Sequence, residues 1–454
     1  MKYKEILLKQ ETYFNLGITK NYYFRKEALQ SLKDAIIKNE DKIFDALYKD
    51  LGKSKEESYL TEIGLVLKEI NYHLKHLKKH MKPKKVKTPL SLFPAKSYLY
   101  KEPYGKVLII SPWNYPFLLA LNPLVGLIAA GNTAVIKPSE YSVNTSLLIE
   151  EIINDTFDSS FVKVVQGEVE ETTKLLEQRF DYIFFTGSSK VGKIIMKKAS
   201  ENLTPVTLEL GGKSPVVVTK GVNLKLAAKR IAFGKVVNAG QTCIAPDYLM
   251  IEKDLIEDFT KYYKDALSEF FGDDLLNNNN YPKIINKNHH KRLKKLLEDE
   301  KILLGGKSSD EKIEPTLVEI KNISSPLMQE EIFGPILPII IYKDMGDVYS
   351  YIRSGKKPLA AYIFTNNKDI RKDFIDNISA GGIVVNDTIM HFANNNLPFG
   401  GVGSSGIGKY HGKYSFETFS NTKAVLHRKT YLDLKLRYQP ISKKEFKVIK
   451  KFLK

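Results

Sequence analysis

Cys243 is the only cysteine in a chain of 454 residues, and it closes the segment Asn238-Ala239-Gly240-Gln241-Thr242-Cys243. A lone cysteine excludes an intramolecular disulfide and a cysteine-based metal cluster. By itself a free cysteine is more often a small buried hydrophobe than a reactive thiol. Here Gly240 permits a tight turn and the neighbours are polar, which suits an accessible thiol better than a core one. Such a thiol becomes a nucleophile once a positive dipole or a nearby base favours the thiolate.

Three further segments carry chemistry-bearing groups. Leu208-Glu209-Leu210-Gly211-Gly212-Lys213 sets a carboxylate inside an apolar strand, where a charge seldom sits without a partner. Desolvated, Glu209 has a raised pKa and serves as a general base near neutral pH; on a strand's solvent edge it would do neither. Ser111-Pro112-Trp113-Asn114-Tyr115-Pro116-Phe117 follows the β-branched run Val107–Ile110. Asn114 offers an amide donor held between aromatic and proline residues, which suits an oxyanion, although a turn-forming asparagine is the simpler reading of the residue alone. Phe185-Thr186-Gly187-Ser188-Ser189-Lys190-Val191-Gly192-Lys193 leaves a strand and opens a helix, an arrangement that binds anions. It approaches the P-loop, but Ile194 stands where that motif needs a hydroxyl for Mg²⁺, and it is not G-x-G-x-x-G either. The reading is a dinucleotide-binding helix start of another kind, not a nucleotide kinase.

The elements that must position these groups follow from periodicity. Leu60, Ile63, Leu67, Ile70, Leu74 and Leu77 step by three and four, so one helical face packs against a domain. The basic stretch Lys75–Lys87 closes this helical region at Pro83, and Leu92–Tyr104 reads as an extended excursion. Short β-branched runs then alternate with helix-length segments: Val107–Ile110, Ala134–Ile136, Val162–Val165, Tyr182–Phe185 and Val206–Leu210. The rhythm resumes at Val216–Val218, Tyr248–Ile251, Ile336–Ile341, Ala361–Phe364 and Ile383–Val385. This alternation implies parallel sheets with right-handed crossovers, in an α/β fold of two layers with a ligand cleft between them. The longest apolar run, Tyr115–Ala130, is interrupted by Asn122, Pro123 and Gly126; it predicts a buried crossover helix rather than a membrane span.

Bulk properties set the outer limits. A chain of 454 residues is too long for one core and predicts two or three domains. The formal net charge of +18 raises nucleic acid or an anionic membrane as partners. The lysines are dispersed and no nucleic-acid recognition motif is present, so the charge reads as a solvated surface and no nucleic-acid partner is expected. The first residues have no apolar core of a signal peptide; with the free thiol, this predicts a cytoplasmic protein.

Taken together the motifs resemble the aldehyde dehydrogenase superfamily from about residue 20 to about residue 440. Pro112-Trp113-Asn114, Ile136-Lys137-Pro138-Ser139-Glu140, Phe185-Thr186-Gly187-Ser188 and Leu208–Lys213 come first. Gly240-Gln241-Thr242-Cys243, Glu331-Ile332-Phe333-Gly334-Pro335 and Leu397-Pro398-Phe399-Gly400-Gly401 follow. Each is modest alone; seven in the family's order are specific. Gly403-Ser404-Ser405-Gly406, Tyr410-His411-Gly412-Lys413-Tyr414-Ser415-Phe416 and Arg437-Tyr438 are similar to the class 3 branch.

The resemblance implies two parallel-sheet α/β domains and a small β bridging region. Residues 1–83 and 105–209 would bind the dinucleotide, 210–417 would form the catalytic domain, 84–104 and 418–436 the bridging and oligomerisation region of a homodimer, and 437–454 a basic tail. It also implies that Cys243 attacks an aldehyde, that Asn114 and the Cys243 N–H hold the oxyanion, and that Glu209 activates water against the thioester. The cofactor would be NAD or NADP, with Lys137 and Glu140 near the adenosine ribose, Gly187 and Ser188 near the pyrophosphate, Glu331 on the nicotinamide ribose and Phe333 against the nicotinamide. No metal is implied. Trp113, Tyr115 and His391 would line a pocket for a medium or long aliphatic or aromatic aldehyde.

Rival readings have less behind them. A cofactor-free thiol hydrolase has no use for Lys137, Glu331 and Phe333, and an acyl-CoA-forming relative needs no Glu209. A structural homologue would tolerate loss of site residues, and none is lost. The tail leaves two alternatives open. Phe446, Ile449, Phe452 and Leu453 share a helical face among Lys443, Lys444, Lys447, Lys450, Lys451 and Lys454. That face either packs on a dimer or rests weakly on an anionic bilayer.

Overall fold

Apolar residues at three- and four-residue spacing wind the first eighty residues into helices in the computed structural model, which describes residues 2–433 and 437–452. The longest are Tyr22–Lys38 and Gly64–Met81. Ile63, Ile70 and Leu77 of the expected stripe are fully buried, but Leu60 is 72% exposed. The reason is local winding. Tyr59–Ile63 is π-helical, with the Gly64 N–H returning to the Tyr59 carbonyl, and this wider turn rotates Leu60 off the stripe that α-helical stepping predicts.

β1 (Lys84–Val86) and β2 (Ala95–Pro103) pair antiparallel. The extended excursion expected before Tyr104 is β2. Five parallel strands follow: β3 (Lys106–Ile110), β4 (Thr133–Lys137), β5 (Val162–Val164), β6 (Tyr182–Gly187) and β7 (Val206–Leu210). They lie in the order β7-β6-β3-β4-β5. The crossover from β3 to β4 is the helix Pro116–Ala130, every residue of which is buried. Among the described residues no helix is long and apolar enough to cross a membrane.

The second sheet holds β8 (Pro215–Val218), β9 (Tyr248–Ile251), β10 (Lys301–Leu304), β11 (Thr316–Glu319), β12 (Ile336–Ile341), β13 (Ala360–Phe364) and β14 (Gly382–Val385). Its order is β10-β11-β12-β9-β8-β13-β14, parallel except for β10 on one edge. Each expected β-branched run falls on a strand, whereas β10, β11 and the two-residue β15 (Gly406–Ile407) were not foreseen. β15 pairs antiparallel with β7, placing Gly406 opposite Glu209. Finally β16 (Ser420–Arg428) returns to β2 along nine residue pairs, so a long strand edge closes the three-stranded sheet β1-β2-β16.

This topology gathers one edge. The chain leaves β3 toward Asn114, β4 ends at Lys137, β6 at Gly187 and β7 beside Glu209. Carboxyl ends of parallel strands are where α/β sheets hold ligands.

Candidate active site

Cys243 lies between the 3₁₀ turn Val237–Gly240 and β9. Three residues in succession before it take left-handed backbone: Asn238 at φ 52°, Ala239 at φ 50° and Gly240 at φ 72°. Outside glycine this costs roughly 1–2 kcal/mol per residue, and it persists only where the surroundings enforce it. Gln241 supplies part of that enforcement. Its Nε2 donates to the carbonyls of Asn238 and Lys283, both at 3.0 Å, and its Oε1 accepts the Ile285 N–H at 3.0 Å. Glu57 Oε1 accepts the Asn238 N–H at 2.7 Å.

Asn114 is tied into the same loop. Its side-chain Nδ2 donates to the Gln241 carbonyl at 3.0 Å. Its own carbonyl accepts from Asn238 Nδ2 at 2.7 Å and from Lys53 Nζ at 3.2 Å. Lys53 and Glu62 form a wholly buried ion pair at 2.6 Å, and Glu62 Oε2 accepts the N–H groups of Phe117 and Leu118 at 2.9 and 3.1 Å. A carboxylate there caps the first turn of the Pro116–Ala130 helix and complements its dipole.

Cys243 and Glu209 line one cavity of about 340 Å³, together with Tyr115, Leu119, Phe392, Phe399 and Tyr410. The walls are almost wholly apolar. Burial pushes the part-exposed Cys243 thiol well above its ordinary value, and the negative charges of Glu331 and Glu209 add to the shift. Glu209 is 3% exposed, and neither carboxylate oxygen has a hydrogen-bond partner. Burial therefore drives its carboxyl well above the usual range, with Lys409 pulling the other way. Two carboxylate oxygens without a hydrogen-bond partner, in the same apolar cavity as the thiol, can take a proton from the thiol or from a water.

Of the residues expected to hold a dinucleotide, Lys137, Glu140, Gly187 and Ser188 occupy the gathered edge. Lys137 is buried, its Nζ donating to the Pro138 carbonyl at 2.6 Å and lying 3.7 Å from Glu140. Burial lowers its pKa against the pull of Glu140. Gly187 ends β6 where a Cβ would meet the Phe185 ring at 2.5 Å. Ser188 then caps the helix Ser189–Ser200 through the Val191 N–H at 3.4 Å; helix starts of this kind bind anions. Across the cleft Glu331 is pushed up to about 8 by burial and by Asp247, and Phe333 meets Trp113 edge-on at 5.4 Å. The glycine cradle, the buried lysine and the acidic group opposite fit a dinucleotide.

Two expected pocket residues sit elsewhere. Tyr115 lines the cavity, whereas Trp113 and His391 do not. Trp113 packs on Phe333 and His289. His391 is turned behind the wall against Phe399 and Tyr362, and burial holds it down at about 4. Its neighbours Met390 and Phe392 line the cavity instead, because a 3₁₀ turn over Met390–Ala393 sends adjacent side chains in different directions. Sequence reading missed Lys53, Glu57 and Glu62, and gave Asn238 no role of its own. No motif marks them; the one available signal was charged residues close to an otherwise apolar helical stripe.

With this geometry in place, the comparisons with known proteins agree. The model of the aldehyde dehydrogenase family matches residues 19–425. The chain is 49% identical over 448 residues to 4,4'-diaponeurosporen-aldehyde dehydrogenase of Staphylococcus aureus, covering 98% of this chain and 97% of that one. It is 44% identical over 444 residues to aldehyde dehydrogenase family 3 member A2 of Rattus norvegicus, covering 97% and 92%. The fold superposes on a solved substrate-bound state of Staphylococcus aureus AldH with a TM-score of 0.97, at 48% identity and 99% coverage of both chains. The chain belongs to the aldehyde dehydrogenase family. It is an NAD(P)-dependent aldehyde dehydrogenase of the class 3-like branch, oxidising an aldehyde to the carboxylic acid.

Proposed function

We propose that Cys243 is the nucleophile, Glu209 the general base and Asn114 an oxyanion donor of this oxidation. The observation that carries the assignment is the shared cavity, in which the lone thiol and an unpaired buried carboxyl face an apolar chamber. Cys243 Sγ attacks the aldehyde carbon, and its thiol proton passes to Glu209. The Asn114 amide and the Cys243 N–H stabilise the oxyanion; Asn114 Nδ2 donates one proton to the Gln241 carbonyl and keeps a second N–H for this role. NAD or NADP, held by the residues named below, would supply the hydride acceptor for the oxidation of the hemithioacetal. A thioester remains on Cys243. Glu209, once it has passed the thiol proton to solvent, takes a proton from water, whose oxygen attacks the acyl carbon; the C–S bond breaks, releasing the acid and restoring the Cys243 thiolate.

Lys137 and Glu140 would hold the adenosine ribose, Gly187 and Ser188 the pyrophosphate, Glu331 the nicotinamide ribose, and Phe333 would pack on the nicotinamide. NAD is preferred over NADP, because Glu140 repels a 2′-phosphate unless it swings away. The apolar walls suit a medium or long aliphatic or aromatic aldehyde. The open edge of β16 suits a second copy of the chain, as a homodimer bridged by residues 84–104 and 418–436, and the unpaired thiol suits the reducing cytoplasm.

Cys243→Ala tests the assignment. NAD and NADP reduction should fall by more than about a thousandfold, while NAD binding measured by calorimetry persists. Wild-type turnover in that variant would remove Cys243 from the reaction.

A further inference from the structure

Glu57 has no part in this chemistry, yet its carboxylate reaches the nucleophile's own loop. It sits in the short helix Lys55–Ser58, which runs into the π turn Tyr59–Ile63. In an α-helix, residues five apart point in different directions. The wider π turn lets Glu57 and Glu62 face the same side: Glu62 holds Lys53 and the start of the Pro116–Ala130 helix, and Glu57 holds Asn238. Burial pushes Glu57 up to about 7, with Lys53 and the Asn238 N–H lowering it and Glu62 raising it.

The bond falls where the backbone most needs it. Asn238 begins the left-handed run through Ala239 and Gly240, and the thiol follows three residues later. Asn238 also orients Asn114, through the Nδ2 bond to the Asn114 carbonyl. One carboxylate therefore fixes the peptide from which both the thiol and the amide donor are aimed.

We propose that Glu57 is a positioning residue for Cys243: by accepting the Asn238 N–H it holds the left-handed run that turns the thiol into the cavity. This role has meaning only if Cys243 is the nucleophile, as read above, and the two ideas fail separately. The chain has a single cysteine, so alkylation of the full-length protein by iodoacetamide reads Cys243 without any turnover. In Glu57→Leu, alkylation and kcat should both fall by about tenfold, with the aldehyde KM and the NAD Kd within about twofold. Glu57→Gln keeps an oxygen acceptor and should recover most of that loss.

Adding Ala239→Gly gives the sharper readout. Glycine takes a positive φ without strain, so the loop no longer needs holding, and E57L/A239G should regain alkylation relative to E57L. If E57L is insoluble, the same cycle is run with E57A, which also removes the acceptor, and is read as coupling between positions 57 and 239. Strictly additive losses, or wild-type alkylation and kcat in a soluble E57L, overturn the role of Glu57. Wild-type turnover in C243A would instead overturn the nucleophile.

Discussion

Gly211 and Glu331 share one space: a Cβ on the glycine would overlap the glutamate's carboxylate. The glycine follows β7, and Glu331 comes from the loop ahead of β12. The carboxylate thus reaches the end of β7 only because position 211 has no side chain.

Gly211→Ala should therefore act on cofactor binding. The clash is with the end of a flexible side chain, so Glu331 swings away and the fold survives. The NAD Kd is expected to rise by about tenfold, close to 1.4 kcal/mol, with iodoacetamide alkylation of Cys243 unchanged. An unaltered NAD Kd would detach Glu331 from the ribose.

Glu209→Gln should separate the half-reactions, since hydride transfer consumes no water. Stopped-flow NADH absorbance is expected to show a burst of about one equivalent per site, then slow turnover. In the wild type, deacylation should accelerate as pH rises, because burial favours the protonated form of Glu209 and only the carboxylate is a base. An unaltered steady-state rate in the variant would take Glu209 out of deacylation.

Glu331 links pH to stability with a definite sign. Its folded pKa, raised from 4.5 to about 8, exceeds that of the unfolded chain, so the folded state retains the proton more tightly. The contribution to stability is present below pH 4.5 and is lost as pH rises toward 8. Thermal melts of the wild type should show Tm falling across this window more steeply than in Glu331→Gln. Parallel curves would show that Glu331 titrates normally in the fold.

The C-terminal helix Lys443–Phe452 carries the remaining prediction. Phe446 and Val448 are 51% and 39% exposed, and Lys450 lies over the Phe446 ring. Phe446 and Ile449 fall within the expected apolar face; Leu453, Lys454 and the Phe452 side chain lie outside the described residues. A basic amphipathic helix rests on an anionic bilayer, each lysine adding ~1 kcal/mol near the surface. Sedimentation with phosphatidylserine vesicles should show binding that weakens with salt and disappears on deleting residues 442–454. Salt-independent binding, or equal binding by the shortened chain, would leave the tail as packing.

Much of this protein is legible in one dimension. β-branched runs between helix-length segments define strands because a strand buried on both faces is apolar along its run; β8 obeys that rule, as do Val107–Ile110 of β3 and Ala134–Ile136 of β4, whereas β7 breaks it at Thr207 and Glu209. The glycine-bearing motifs around 187, 211 and 240 are legible because each stands where a side chain would collide or the backbone turns left-handed. Cys243, Glu209 and Asn114 stand out by residue type in unusual company.

What the sequence could not supply is set by contacts between distant segments. Leu60 leaves its stripe because of a π turn, and His391 turns behind the wall while Met390 and Phe392 face the cavity. Neither follows from spacing, since both depend on how one turn is wound. The support beneath the site is wholly tertiary: Lys53, Glu57 and Glu62 reach Asn114, Asn238 and Phe117 across 61, 181 and 55 residues of chain. The chemistry is written in residue types, whereas their aim depends on long-range hydrogen bonds, which stabilise only after the chain has folded and excluded water from them.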